Sequence, residues 1–302
     1  MSAPSVLVFG ATGRTGGAVV RRLLGQHQAG ELRLIAAVRR PEAAAPFAEQ
    51  GIEVRHLDLD RAERHGVGPV VAALRDVRRV FLVTGNDVRM LTHAKTVIDA
   101  ARITGVEHLV YLGAHAVRDT TVVHFSWHQL VVAYLERSGV AHTVLHPTSF
   151  MQNLLMPAVT DPRSGVLTHY VGDAAISLVD VEDVAEVAAV VLRSPEGHRG
   201  RTYGLGTEVA AFDRVAATLS EVTGQSWKYE PEEPAQFVAR MTAAGADPIY
   251  MECVRNVFER TRDGSLVEAA DTFDTVERIT GRPGGSLRDF VERHRAHFAQ
   301  PV

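Results

Sequence analysis

The chain has 302 residues, 46% of them hydrophobic, enough to bury a full α/β domain and leave residues for a smaller second lobe. A formal net charge of −4, from 32 basic and 36 acidic residues with no long Lys/Arg run, argues against a nucleic-acid surface. Cys253 is the single cysteine, MSAPSVLVFG does not read as a secretory segment, and no stretch approaches about eighteen consecutive apolar residues; the expectation is a cytoplasmic chain without a membrane span.

The first predicted strand, SVLVFG at 5–10, runs directly into Gly10-Ala-Thr-Gly13-Arg-Thr-Gly16, and the helical segment GAVVRRLL follows without a break. In that context one glycine permits a tight turn, another lets the backbone approach a pyrophosphate, and a third allows close helix packing. The N–H groups at the helix start attract the phosphate charge. The second strand, LRLIAAV at 32–38, ends in Arg39-Arg40, where a carboxylate would hold the ribose hydroxyls of NAD. An arginine there suits the 2′-phosphate of NADP instead, and Arg14 offers a second guanidinium. The third strand, IEVRHL at 52–57, ends in Asp58-Leu59, placed either to flank adenine or, through Asp58, to cap the next helix. The fourth, RVFLVT at 79–84, ends in Thr84-Gly85-Asn86, which reads as a segment under the pyrophosphate and ribose or as an ordinary turn.

A fifth strand, HLVYLG at 108–113, and a sixth, HTVLHP at 142–147, complete a series of short apolar runs separated by helix-length gaps. The pattern predicts an α/β fold, a Rossmann-type doubly wound parallel sheet, over residues 1–155, with 176–195 returning to it. Beyond it, strands near AAISLVD, RTYGLG and WKYEP alternate with helices, among them DVEDVAEVAAVVLRS with Asp180 as N-cap and another near 211–223. The loop Gly281-Arg-Pro-Gly-Gly285 breaks the C-terminal helices. Residues 156–302 are therefore expected to form a smaller α+β substrate lobe.

With GATGRTG, Arg39, HLDLD, LVTGN and HPTSFMQNLL in this order, the chain resembles the NmrA-like group of atypical short-chain dehydrogenases. It looks most like the type 2 quinone oxidoreductases and triphenylmethane reductases, and the likeness extends to SLVDVEDVAEVAAVVL and GSLRDFVERHRAHF. The resemblance implies NADP(H) as cofactor. It assigns Gly10, Thr12, Gly13, Arg14, Thr15 and Gly16 to the phosphate loop, Arg39 to the 2′-phosphate, and Pro147-Thr148-Ser149-Phe150 to the segment beside the nicotinamide. Two departures stand out. His146 replaces the arginine usual before that proline, and the fifth strand ends in Gly113-Ala114-His115, cofactor-side positions where ordinary short-chain dehydrogenases carry serine.

Those enzymes also carry Tyr-x-x-x-Lys, with the tyrosine protonating the substrate; here the segment reads His124-Phe-Ser-Trp-His128. His128 has three open readings: a ligand of the nicotinamide ribose, a catalytic acid worth about 10²–10⁴ in rate, or a structural ring. His124 is the other candidate acid. The four-residue spacing also raises a metal pair, but no third ligand is identifiable, so no metal is expected. Trp127, Phe150, Met151 and Tyr250 could wall a flat substrate, or be core.

The expected function is an NADPH-dependent reductase passing hydride to a conjugated or aromatic small molecule, of quinone, dye, enone or imine type, near Phe150. A non-catalytic NADP(H)-sensing regulator is the alternative, and a cofactor-retaining isomerase or tailoring enzyme the weaker one. The expected partners are small molecules, with no membrane and no nucleic acid; a homodimer or a regulatory protein partner stays open.

Overall fold

The computed structural model describes residues 3–299. Its strands are β1 (Ser5–Val8), β2 (Arg33–Val38), β3 (Glu53–His56), β4 (Arg79–Leu82), β5 (His108–Leu112), β6 (His142–Pro147), β7 (Ser149–Phe150), β8 (Thr160–Asp161), β9 (Val166–His169), β10 (Ile176–Val179), β11 (Arg201–Leu205), β12 (Glu208–Ala210) and β13 (Lys228–Pro231). The main sheet has the order β11-β6-β5-β4-β1-β2-β3, and β1 to β6 pair in parallel. Every residue of β1, β4 and β5 is buried, as expected when crossover helices cover both faces of a parallel sheet. The order reverses between β1 and β4, and it is beyond the carboxyl ends of the strands at such a reversal that ligands of doubly wound sheets bind.

The chain divides into two compact units. The first comprises the chain up to Ala114, Ser126–His146 and Val184–Tyr203; the second comprises His115–Phe125, Pro147–Asp183 and the chain from Gly204 onward. Three details differ from the sequence expectation. Residues 115–125 go with the second unit, and the returning segment is 184–203 instead of 176–195. RTYGLG, expected in the small lobe, supplies β11 at the edge of the main sheet. Long-range polar contacts fix that return. The buried Arg79 guanidinium donates to the carbonyls of Leu192 (2.6 Å) and Arg193 (2.9 Å), placing a cation at the end of the helix Val181–Arg193. Thr143 Oγ1 donates to the His198 carbonyl at 2.7 Å, and Gly200 N to that of His142 at 2.7 Å.

In the second unit, β10 lies between β12 and β7, and β9 between β13 and β8. Its core gathers Met151, Leu154, Leu167, Phe212, Leu219, Trp227 and Phe290. Asp180 does cap the helix at Val181, accepting from Glu182 N at 2.9 Å and from Gln152 Nε2 at 2.7 Å, with Arg293 on its second oxygen. Asp183, equally buried, accepts from Gly285 N at 2.7 Å and pairs with Arg282 at 2.8 Å, so the 281–285 loop is tied down. Among the described residues, no helix is long and apolar enough to cross a membrane.

Candidate functional site

β1 leaves the sheet at Val8, and Phe9 N still bonds the Phe81 carbonyl at 2.9 Å. Gly10 then turns the chain with φ +64°, a left-handed conformation; a Cβ there would also lie 2.6 Å from Val83 Cγ1. Gly13 N closes the turn on the Gly10 carbonyl at 2.8 Å, and the helix Arg14–Gln28 begins at once, with no side chain capping it. The first-turn amides therefore form the positive end of a fifteen-residue helix, beside the exposed Thr12, Gly13 and Arg14; Thr15 and Gly16 are buried. A Cβ on Gly16 would stand 2.2 Å from the Gly10 carbonyl oxygen and 2.8 Å from that of Phe9. Gly10 thus serves the turn, Gly16 the close packing of helix on turn, and Gly13 the open helix start. This cradle of backbone N–H donors fits a pyrophosphate.

Arg39 follows β2 directly and is 67% exposed. Its nearest acidic partner is Asp60, at 3.9 Å, a residue the sequence reading did not single out. Asp60 also receives Arg89 at 3.2 Å and His93 at 3.1 Å, so three basic side chains converge on one carboxylate. Arg40 turns toward Glu42, 3.7 Å away. Of the two readings of Asp58, the cap is the observed geometry: it precedes the helix Leu59–His65 and accepts from Asp60 N at 3.1 Å. Leu59 beside it is half-buried.

After β4, Gly85 and Asn86 are exposed and Thr84 is half-buried. The phenol of Tyr111 is fully buried in β5. The same phenol lies 2.7 Å from Nδ1 of His128. Burial pushes the Tyr111 phenol above its ordinary pKa, so it stays protonated. Tyr111 was overlooked in the sequence; the available signal was a tyrosine inside an all-buried strand, whose hydroxyl must find a partner. Gly113 is bare because His146 lies against it: a Cβ would meet His146 Cδ2 at 2.8 Å. Ala114 follows, half-buried.

The remaining candidates separate. Trp127 is 8% exposed, in the first unit. In the second unit, Ser149 and Phe150 pair with Leu178 and Val179 of β10, Thr148 Oγ1 accepts from Ser177 at 3.2 Å, and Pro147 O accepts from His115 N at 3.0 Å. The His115 ring bonds Asp271 at 2.8 Å and stands edge-on to Phe273. Met151 is a correction: it is fully buried in the apolar core and has no surface to offer an acceptor. His124 is also buried, packed on Phe125 and Tyr250, and desolvation lowers its pKa to about 4. It is a neutral packed ring, poorly suited to deliver protons at neutral pH. Burial likewise pushes the half-buried Tyr250 up to about 12. Among the described residues, no three His, Cys, Asp or Glu side chains are grouped to hold a metal.

The chain is 34% identical over 298 residues to (4-alkanoyl-5-oxo-2,5-dihydrofuran-3-yl)methyl phosphate reductase of Streptomyces griseus, covering 97% of this chain and 99% of the relative. It is 30% identical over 295 residues to NAD(P)H azoreductase of Xenophilus azovorans, again covering 97% and 99%. Among solved structures, triphenylmethane reductase of Citrobacter sp. complexed with NADP(H) superposes with a TM-score of 0.80 at 26% identity, over 95% of this chain and 99% of that one. The model of the NmrA-like family matches residues 3–274. Spanning the glycine turn, the whole parallel sheet and most of the second unit, that match makes the chain a member of the NmrA-like family.

Proposed function

We propose that the protein is a cytoplasmic NADPH-dependent reductase whose substrate is a small conjugated or aromatic electron acceptor. One observation carries the reading: the strand β1 opens through a glycine turn onto an uncapped helix start that no side chain larger than hydrogen at Gly16 would leave intact. Arg39, with Arg89 nearby on Asp60, gives the adenosine end a cationic rim suited to a 2′-phosphate. The phosphate loop Gly10 to Gly16, the strand ends at Asp58 to Leu59 and Thr84 to Asn86, and His128 would hold the rest of the dinucleotide. The single cysteine suits a reducing compartment.

Bound NADPH supplies the hydride. The protein's part is to orient the acceptor and exclude water, which is sufficient when the acceptor is already electrophilic. The named substrates of the similar proteins, an azo compound, a triphenylmethane dye and a 5-oxo-dihydrofuran bearing an alkanoyl group, share an electron-poor conjugated system. The absence of the Tyr-x-x-x-Lys pair fits such acceptors, because they need less protonation in the hydride step than a simple ketone.

The test is calorimetric binding of NADPH and NADH to the purified protein, followed by turnover with quinones, azo and triphenylmethane dyes and unsaturated lactones, read at the nicotinamide absorbance. NADPH should bind more tightly than NADH and be consumed with at least one acceptor class. Arg39→Ala should erode that preference by about ten- to hundredfold, the value of one charge-assisted contact. Tight NADPH binding without turnover on any acceptor would sink the reductase reading.

A further inference from the structure

We propose that Tyr111 is a positioning residue: its phenol fixes His128 as the Nε2–H tautomer, so that His128 meets the bound dinucleotide as a hydrogen-bond donor and not as a proton-giving acid. The second clause rests on the reading above, in which His128 serves the NADPH site; the first rests on geometry alone.

Tyr111 pairs with Leu82 of β4 on one side and Val144 of β6 on the other, in the interior of the sheet, and is fully buried. Its hydroxyl cannot reach bulk water, and an unpartnered buried hydroxyl is costly, so the partner it has defines its orientation. The partner it has is Nδ1 of His128, 2.7 Å from the phenol oxygen. Two proton arrangements are open to the pair. Either the phenol donates to Nδ1, or Nδ1–H donates to the phenol oxygen and the buried phenol proton must find another acceptor. A phenol is a far stronger acid than a neutral imidazole N–H, and an imidazole lone pair is a far stronger base than a phenol oxygen. The first arrangement therefore wins, and the ring proton resides on Nε2.

This choice limits what His128 can do. From the neutral ring, release of the Nε2 proton would require the phenol proton to follow onto Nδ1, leaving the negative charge on Tyr111 inside the sheet. The same burial that keeps the phenol protonated opposes that transfer. In the neutral ring a fixed donor is the role that remains, and it differs from that of the tyrosine acid in ordinary short-chain dehydrogenases.

The experiment is ¹⁵N NMR of the imidazole nitrogens in histidine-labelled protein at pH 7.5 without cofactor, with His128 assigned through His128→Gln, alongside Tyr111→Phe. The wild type should show His128 with a pyridine-like Nδ1 and a protonated Nε2. Tyr111→Phe, which removes one oxygen from a buried ring, should show averaging between tautomers, and its NADPH Kd should rise about two- to tenfold, the value of one neutral hydrogen bond. A protonated Nδ1 in the wild type overturns the assignment whether or not the variant folds, as does an unchanged pattern in a folded Tyr111→Phe. The expected pattern with an unchanged Kd overturns the donor role. If the wild type binds no NADPH at all, the reductase reading fails while the nitrogen shifts still decide the tautomer.

Discussion

At the scale of single residues, the glycine turn depends on two positions for different reasons. Gly10 needs freedom of φ, whereas Gly16 needs empty space, because the nearest atoms to an added Cβ are backbone carbonyls that cannot swing away. Gly16→Ala should therefore cost about 1–3 kcal/mol of stability, as overpacking does, and displace the turn. The check is a urea midpoint together with NADPH calorimetry; an unchanged midpoint and unchanged affinity would show that the turn yields more easily than its backbone contacts suggest. The glycines and Arg39 were legible in the sequence because their chemistry is local to a strand end. Tyr111 was not, because its meaning comes from His128, seventeen residues away on the next helix.

At the scale of elements, the short helix Leu59–His65 does more than connect strands. Its first turn carries Asp60 to the end of β2, where the carboxylate holds Arg39, Arg89 and His93. A negative charge there repels a 2′-phosphate while keeping the two guanidinium groups nearby. Asp60→Asn should raise NADPH affinity severalfold and leave NADH affinity nearly unchanged, and the gain should shrink as added salt screens these half-exposed charges. Weaker NADPH binding in that variant would mean that Asp60 acts chiefly by orienting the arginines. The sequence indicated Asp58 and the helix after it; it did not indicate Asp60, since Arg89 and His93 arrive from a segment beyond the next strand.

At the scale of the whole molecule, three buried histidines set an acid limit. Desolvation depresses His108 and His124 to about 4 and His169 to about 3, while the unfolded chain titrates near 6.5. Between those values the unfolded state holds protons that the folded state lacks, so stability rises with pH through this window and is lost on acidification. The loss should begin near pH 6.5 and continue to about pH 4 for His108 and His124 and to about pH 3 for His169, at up to about 1.4 kcal/mol per pH unit for each such group. Urea midpoints at pH 7.5, 5.5 and 4.5 would read it. His169→Phe, which keeps a ring stacked on Phe212, should flatten the slope; an equally steep slope in that variant would remove His169 from the account.

What the sequence by itself determined is what short-range pattern can encode: six parallel strands, the glycine turn into a helix, the arginine ending the second strand, the cap at Asp180 and the NmrA-like resemblance. Apolar runs and turn chemistry act within a few residues, so each could be read without knowing where the chain goes next. Only the tertiary structure decided that Arg201–Leu205 joins the main sheet, that Met151 is core, that His124 is a desolvated ring, and that Tyr111 meets His128. Those outcomes depend on which distant segment packs where. That packing is set by the summed burial and hydrogen bonding of the fold, which no local pattern carries.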